Sequence, residues 1–184
     1  FPEGSTAILG LYASVPAVNF VLNSGTLAGT VGGVATDSSG NIYVTVYSGT
    51  SVARVVKYDS GGSYVSQIGS YGTSARQFKS PSDLAVDSSG NIYIADTGNN
   101  RIQKLNSSYA HQWTVGGTAS GTTNGKFNSP KGIAVDEVNS RLYVADSNND
   151  RIQIFDLSGN YIAQFGSYGN GSGQFGDARG IAVD

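Results

Sequence analysis

The sequence contains no cysteine and no methionine, one histidine (His111), one tryptophan (Trp113) and four prolines. Without cysteine there is no disulfide framework, no thiolate metal site and no cysteine nucleophile. A Ser–His–Asp triad would have to be built on His111 alone as its base. Charge of either sign is sparse and nearly balanced, with 11 Lys and Arg against 13 Asp and Glu and no run of like charges. That argues against the basic face by which proteins capture nucleic acid, so no nucleic-acid partner is expected, although a balanced net charge can hide a local patch. No apolar run approaches the roughly 20 residues of a membrane helix, and no basic-then-apolar leader is present. The lack of Met even at position 1 leads to the expectation that the chain follows removal of a signal peptide or is a piece of something longer. Few lysines and many Ser, Thr, Gly and Asn add an expectation of an extracellular or cell-surface location.

What is abundant is glycine, 26 residues of it, and a pattern. A five-residue core recurs as Gly33-Val34-Ala35-Thr36-Asp37, Asp83-Leu84-Ala85-Val86-Asp87, Gly132-Ile133-Ala134-Val135-Asp136 and Gly180-Ile181-Ala182-Val183-Asp184. The aspartates lie 50, 49 and 48 residues apart, a period that marks a solenoid, propeller or array. Each full unit reads as four short strands. The core is the first, expected to be buried on both faces because its inner residues are apolar or small. A Gly-containing turn follows, since glycine supplies the positive φ of a tight hairpin. The second strand carries Tyr43, Tyr93 or Tyr143, the third begins at Arg54, Arg101 or Arg151, and the fourth at Tyr64, Tyr109 or Tyr161. Long polar joins (69–80, 116–129, 166–178) each carry one phenylalanine, Phe78, Phe127 or Phe175, nine residues before the next core aspartate. A large apolar residue fixed in a polar loop is expected to plug the gap between neighbouring units. Four antiparallel strands per unit, repeated, describe propeller blades. The expected layout is blades at 32–80, 81–129 and 130–178, the first strand of a further blade at 179–184, and a degenerate partial blade or joining segment over 1–31, with apolar runs at 7–13 and 17–22.

The unit Gly-Ile-Ala-Val-Asp, then Leu142-Tyr143-Val144-Ala145-Asp146-Ser147-Asn148-Asn149-Asp150-Arg151-Ile152-Gln153-Ile154-Phe155, then Gly166, resembles the NHL repeat. Ile92-Tyr93-Ile94-Ala95-Asp96-Thr97-Gly98-Asn99-Asn100-Arg101-Ile102 is as close. The resemblance covers residues 32–184 and implies an all-β fold, an NHL-type β-propeller of four-stranded antiparallel blades, about three full blades plus partial ends, belonging to a ring usually of six. The first unit departs from the pattern: Val46 stands where the others have Asp96 and Asp146, and the Asn pair is missing. Six blades of about 49 residues would need roughly 290. The expectation is therefore that the sequence is the front part of a longer chain, that another copy completes the ring, or that four blades close.

Asp96 with Arg101 and Asp146 with Arg151 stand five residues apart around a hairpin, where they can meet as charge-assisted pairs. Because the pair recurs with the repeat, it reads as a blade-end staple rather than a substrate clamp. Asp146 to Asp150 mimics the start of a calcium loop, but Arg151 stands where the sharp turn needs Gly and Leu157 where a bidentate Glu is required. The core aspartates could ring the axis and attract a cation, but capping of the following turn is the simpler role. His111 falls on the outermost strand. Enzymes similar to this fold, such as peptidyl-amidating lyases and strictosidine-synthase-like hydrolases, use histidines or acidic ligands at the central mouth, which one peripheral histidine does not provide. Asn106-Ser107-Ser108 and Asn170-Gly171-Ser172 are sequons in predicted loops, so Asn106 and Asn170 are candidates for N-glycosylation.

These residues lead to a non-enzymatic extracellular scaffold with no cofactor and no catalytic or metal-binding residue. It is expected to bind a protein or glycan partner, or further copies of itself, as in a filament. The candidate contact residues are those of the loops between second and third strands, Thr97, Asn99, Asn100, Ser147, Asn148, Asn149 and Asp150. Their polar, neutral character favours hydrogen-bonding contacts over charge steering. The alternatives are a fragment of a propeller lyase or hydrolase with its catalytic residues elsewhere and, last, a nucleic-acid-binding domain.

Overall fold

The computed structural model describes residues 29–184. The apolar runs at 7–13 and 17–22 lie outside the described residues. Three four-stranded antiparallel sheets follow one another along the chain. The first is β1 (Thr30–Thr36), β2 (Ile42–Ser48), β3 (Val52–Tyr58) and β4 (Tyr64–Ile68). A two-stranded parallel ribbon, β5 (Ser70–Tyr71) with β6 (Gln77–Phe78), lies in the join to the second sheet. That sheet is β7 (Asp83–Val86), β8 (Ile92–Asp96), β9 (Arg101–Leu105) and β10 (His111–Gly116). The third is β11 (Pro130–Asp136), β12 (Arg141–Asp146), β13 (Arg151–Asp156) and β14 (Tyr161–Phe165). In each sheet the strands lie side by side in chain order, a meander, so the first strand is at one edge and the fourth at the other. The inner strands touch across sheets, β1 against β7 and β7 against β11. Sheets joined face to face along their first strands are blades of a propeller.

The core lies between blades. Ile68, Phe78, Val55 and Tyr43 from the first blade and its join pack with Leu84, Ile92, Ile94 and Leu105 of the second. Ala85, Tyr93, Ala95 and Phe127 pack in turn with Ile133, Leu142, Val144 and Phe155 of the third. Phe78 and Phe127 are fully buried plugs, and the Phe127 ring meets Phe155 at 5.7 Å in a tilted geometry. Burying such a side chain contributes about 1.5–3 kcal/mol. Phe165, by contrast, is 49% exposed. Its counterpart Ile68 is packed in the core shared with the second blade, whereas the Phe165 ring lies 6.2 Å from that of Phe175 and stays half-exposed.

Two expectations about inner strands need correction. Strand β1 is not buried on both faces: Thr30, Val31 and Gly32 are exposed and Gly33 to Ala35 half-buried. It has one inner strand beside it among the described residues, β7, whereas β7 has one on each side. Residues 179–184 form no strand and have no antiparallel partner among the described residues. Still, Arg179 lies so close to Gly132 that a Cβ there would meet its carbonyl oxygen. The repeated glycine is thus a close-approach position between inner strands. Asp83 takes that position in the second blade. Its carboxylate accepts from the Leu84 amide at 2.9 Å and, across the blade boundary, from the Ile133 amide at 3.0 Å. Burial pushes this carboxyl up, against those two bonds.

The turns at the opposite end are held by carboxylates. Asp37 accepts from the Ser39 and Asn41 amides, both at 3.0 Å, and from Asn41 Nδ2 at 2.8 Å. Asp87 repeats this with Ser89 and Asn91 and also receives the Tyr93 hydroxyl at 3.0 Å. Asp136 accepts from the Asn139 amide and side chain. The turns between third and fourth strands use the same device at Asp59, Asn106 and Asp156. Side-chain donation from Asn139 and Asn160 holds the carboxyls of Asp136 and Asp156 below the usual range. A carboxyl depressed in the folded state stabilises above its unfolded value, about 3.9, and that contribution disappears as pH falls through the folded value. Blade two already carries the uncharged version, Asn106. Asp156→Asn should therefore leave the urea midpoint at neutral pH nearly unchanged and shrink the drop in midpoint on acidification. An unchanged acid drop would show that this turn does not contribute to it.

Candidate functional site

The end of the blades opposite those turns gathers the β8–β9 and β12–β13 loops with the long joins, and it holds most of the buried polar side chains among the described residues. Strand β8 ends at Asp96. A short 3-10 turn, Thr97–Asn99, follows, and Asn100 takes the left-handed conformation (φ 50°) before β9 starts at Arg101. Asn is one of the few non-glycine residues that accept this conformation readily. In the third blade Asp150 does the same (φ 51°) after Ser147–Asn149. The loop thus returns Arg101 to the position directly across from Asp96, and Arg151 across from Asp146.

Each pair is the hub of a larger lock. Asp96 Oδ2 accepts from Arg101 Nε at 2.7 Å, Asn99 Nδ2 at 2.9 Å and Gln103 Nε2 at 3.2 Å, while Oδ1 accepts the Lys79 amide at 2.7 Å. The remaining guanidinium protons go to the preceding join, to the carbonyls of Thr73, Ser74 and Gln77. Gln103 adds a bond to the Gln77 carbonyl and receives the Arg76 amide. Asn99 adds the Gly72 carbonyl. The third blade is a near copy. Asp146 holds Arg151 at 2.8 Å, Asn149 at 2.9 Å, Gln153 at 3.1 Å and the Asn128 amide at 2.7 Å. Arg151 and Gln153 bind the carbonyls of Thr122, Thr123 and Lys126, and Asn149 that of Gly121. Asp96 and Asp146 are both fully buried. A buried ion pair is tolerable when its other lone pairs and protons are bonded, and here they are. The pair ties a loop rather than presenting itself to a ligand.

Several residues expected to contact a partner belong to this framework. Asn99 is 1% exposed and Ser147 0%, with Asn99 in the lock and Ser147 donating to the Ala178 carbonyl. Both leave the set of surface contacts, because their polar groups are bonded inside the fold. Thr97 is half-buried and donates to the Pro130 carbonyl of the next blade at 2.7 Å. Asn100 receives the Ser129 amide and Asp150 that of Asp177. Asn149 is half-buried in the second lock, and Asn148 is exposed. Gln103 and Gln153 were not anticipated, although the repeated Arg-Ile-Gln places Gln two residues after Arg, on the same side of a strand.

His111 is on β10 at the outer edge, with Nε2 2.8 Å from Thr114 Oγ1. Trp113 packs tilted on Tyr93 at 6.0 Å and donates to the Leu157 carbonyl, so it closes the second blade on the third. Among the described residues no cluster of three or more His, Asp or Glu side chains could hold a metal ion. Asn106 uses its carbonyl oxygen to cap a turn whose Ser107 and Ser108 are exposed. Asn170 is exposed in the third join.

The lock makes a quantitative prediction. Asp96→Val, which copies Val46 of the first blade, strands a buried guanidinium; Arg101→Met strands a buried carboxylate. Each should cost about 3–5 kcal/mol. The double variant should cost less than the sum of the two by more than about 1 kcal/mol, because neither charge is then left alone. Urea unfolding of the four proteins measures this, and strict additivity would show that the two groups do not act as a pair.

Comparison with known proteins places the repeat. The NHL repeat profile matches residues 78–105 and 127–155. NHL repeat-containing protein 3 of Mus musculus is 37% identical over 88 residues, which are 46% of this chain and 24% of that protein. The chain thus spans about a quarter of that relative's length. Among solved structures, a streptogramin B lyase superposes with a TM-score of 0.62 at 17% identity, over 88% of this chain and 47% of that one. A chain of a nidogen/laminin complex superposes with a TM-score of 0.57 at 24% identity, over 74% of this chain and 49% of its own. These structural likenesses establish the shared propeller fold. On its repeats and its blades together, the chain carries NHL repeats at 78–105 and 127–155 within a β-propeller fold.

Proposed function

We propose that the chain is a non-enzymatic interaction scaffold, secreted or displayed at a cell surface, that engages a protein or glycan partner through the joins. One observation carries this reading: the charged groups buried at that end are committed to the lock. Asp96 and Asp146 each accept four hydrogen bonds from within the fold. Such a carboxylate is in no position to act as a general acid or base on a ligand. The outward residues of the joins are short and polar, such as Thr73, Thr118, Ser120, Thr122 and Thr123, with Asn148 beside them. The contact surface accordingly lies on the joins more than on the loops between second and third strands. The fold by itself does not decide the matter, since one structure of similar fold is a lyase and another was solved in a nidogen/laminin complex.

Association with a further copy is a second reading, favoured by exposed Ile162 and Phe165 on the outer strand of the third blade and exposed Tyr168 in the join that follows. The extracellular assignment rests on the sequence composition and on the two sequons at exposed or turn positions; glycans at Asn106 and Asn170 would project from loops.

The test uses a photo-crosslinking amino acid placed at Asn148, on the join face, or at Gln112, on the exposed outer strand of the second blade. Each protein is incubated with the extracellular fraction of its native source. A discrete adduct from position 148 and none from 112 is the expected outcome, with an adduct at the mass of a second chain identifying self-association. Equal labelling from both positions, or none from either, would refute the join face as the contact surface.

A further inference from the structure

The lock has an electrostatic consequence for the same face. Loop for loop, the join end carries acidic as well as basic residues, so in sequence it reads as neutral. The structure separates them by depth. Asp96 and Asp146 are fully buried and each is paired with its own arginine. Asp177 is shared between Lys131 at 2.9 Å and Arg179 at 2.6 Å, and Asp150, half-buried, accepts the Asp177 amide beside the third join. That leaves Arg76, Lys79 and Lys126 exposed on the first two joins, and none of them has an ion-pair partner among the described residues. The lock also orients the backbone. Arg101 draws the carbonyls of Thr73, Ser74 and Gln77 inward, and Arg151 those of Thr122, Thr123 and Lys126. The accepting groups of these joins therefore face the blades, and cationic tips and hydroxyls face out. The opposite end has the reverse character, with Asp37, Asp59, Asp87, Asp136, Glu137 and Asp156 in its turns.

We infer that the face formed by the first two joins docks an acidic segment of a protein partner, its carboxylates meeting Arg76, Lys79 and Lys126. This rests on the interaction-scaffold reading and adds the chemistry of the partner. A protein segment fits better than a nucleic acid. Three separated cations are few for a phosphate backbone, where specific binders make about 6–10 phosphate contacts. These two joins also expose no aromatic ring on which bases could stack; Tyr71 is half-buried. Exposed hydroxyls of Thr73 and Ser74 on the first join and of Thr122 and Thr123 on the second add hydrogen-bond donors suited to carboxylate oxygens.

The experiment measures anisotropy of a fluorescent oligo-glutamate peptide titrated with the full chain. Binding is expected to weaken several-fold between about 50 mM and about 300 mM salt. It should fall by about tenfold or more in R76Q/K79Q/K126Q, and stay within about twofold in R141Q, which removes a cation at the opposite end. Unchanged urea midpoints show that the variants are folded, and R76Q and K126Q alone should each show a part of the loss should the triple variant prove unstable. Absence of oligo-glutamate binding by the unsubstituted chain, or full binding by the variants, would overturn the inference. Tighter binding of a single-stranded oligonucleotide of equal charge would overturn it in favour of a nucleic-acid partner. In any of these cases a discrete crosslink from position 148 would leave the scaffold reading standing.

Discussion

A carboxylate and a guanidinium buried together are stabilising only when nothing on either of them is left unbonded. That condition governs this protein. Arg101 has more N–H groups than Asp96 can receive, and the surplus must find oxygen nearby. It finds the backbone carbonyls of Thr73, Ser74 and Gln77 in the join. The bonds that satisfy the buried arginine thus also fix the join. The join cannot leave without stranding the arginine, and the arginine cannot leave without abandoning the buried Asp96 charge to the neutral donors Asn99, Gln103 and the Lys79 amide. The plug Phe78 is held in place by the same arrangement: the residues on either side of it, Gln77 and Lys79, are both bonded into the lock.

Each lock joins a blade to the loop that arrives from the blade before it, so order is passed along the chain in one direction. Contacts otherwise run between neighbours only, which makes the stack nearly one-dimensional in its energetics. The first blade shows what can be omitted. With Val46 in place of the aspartate it keeps a full four-stranded sheet, and Val46 is buried in an apolar cluster with Val44 and Val56. Sheet formation thus does not depend on the lock; fixing the join does.

The blades were legible in the sequence because period-two apolar strands, turn glycines and a repeat near 49 residues all pointed to the same answer. The Asp–Arg staple was legible because it recurred in register. What the sequence could not convey is depth. Asn99 and Asn148 are both asparagines in a polar loop, yet one is sealed under the join and the other faces water. The preceding join makes the distinction in each blade: the Gly72 carbonyl takes Asn99, and that of Gly121 takes Asn149 but not its neighbour Asn148. The inner strand β1 was misjudged for a related reason: its composition is that of a buried strand, but burial requires a second neighbour, which composition does not supply.

Depth also separates what the family pattern fixes from what is individual to this chain. The same residue type serves two ends of the blade in opposite ways. Turn aspartates such as Asp136 and Asp156 stay partly exposed while capping backbone amides; aspartates in the locks are removed from the surface altogether. The outward electrostatic character of the join end is then set by residues that the lock does not need. Those residues differ from join to join. The first offers Arg76 and Lys79, the second Lys126 and Asn124, the third Tyr168 and Asn170. The first two connect blades in the same way and are tied by carbonyls at matching positions, whatever side chains point outward. A frame that binds its loops through main-chain atoms leaves the side chains of those loops free to vary, and recognition can change there without disturbing the fold.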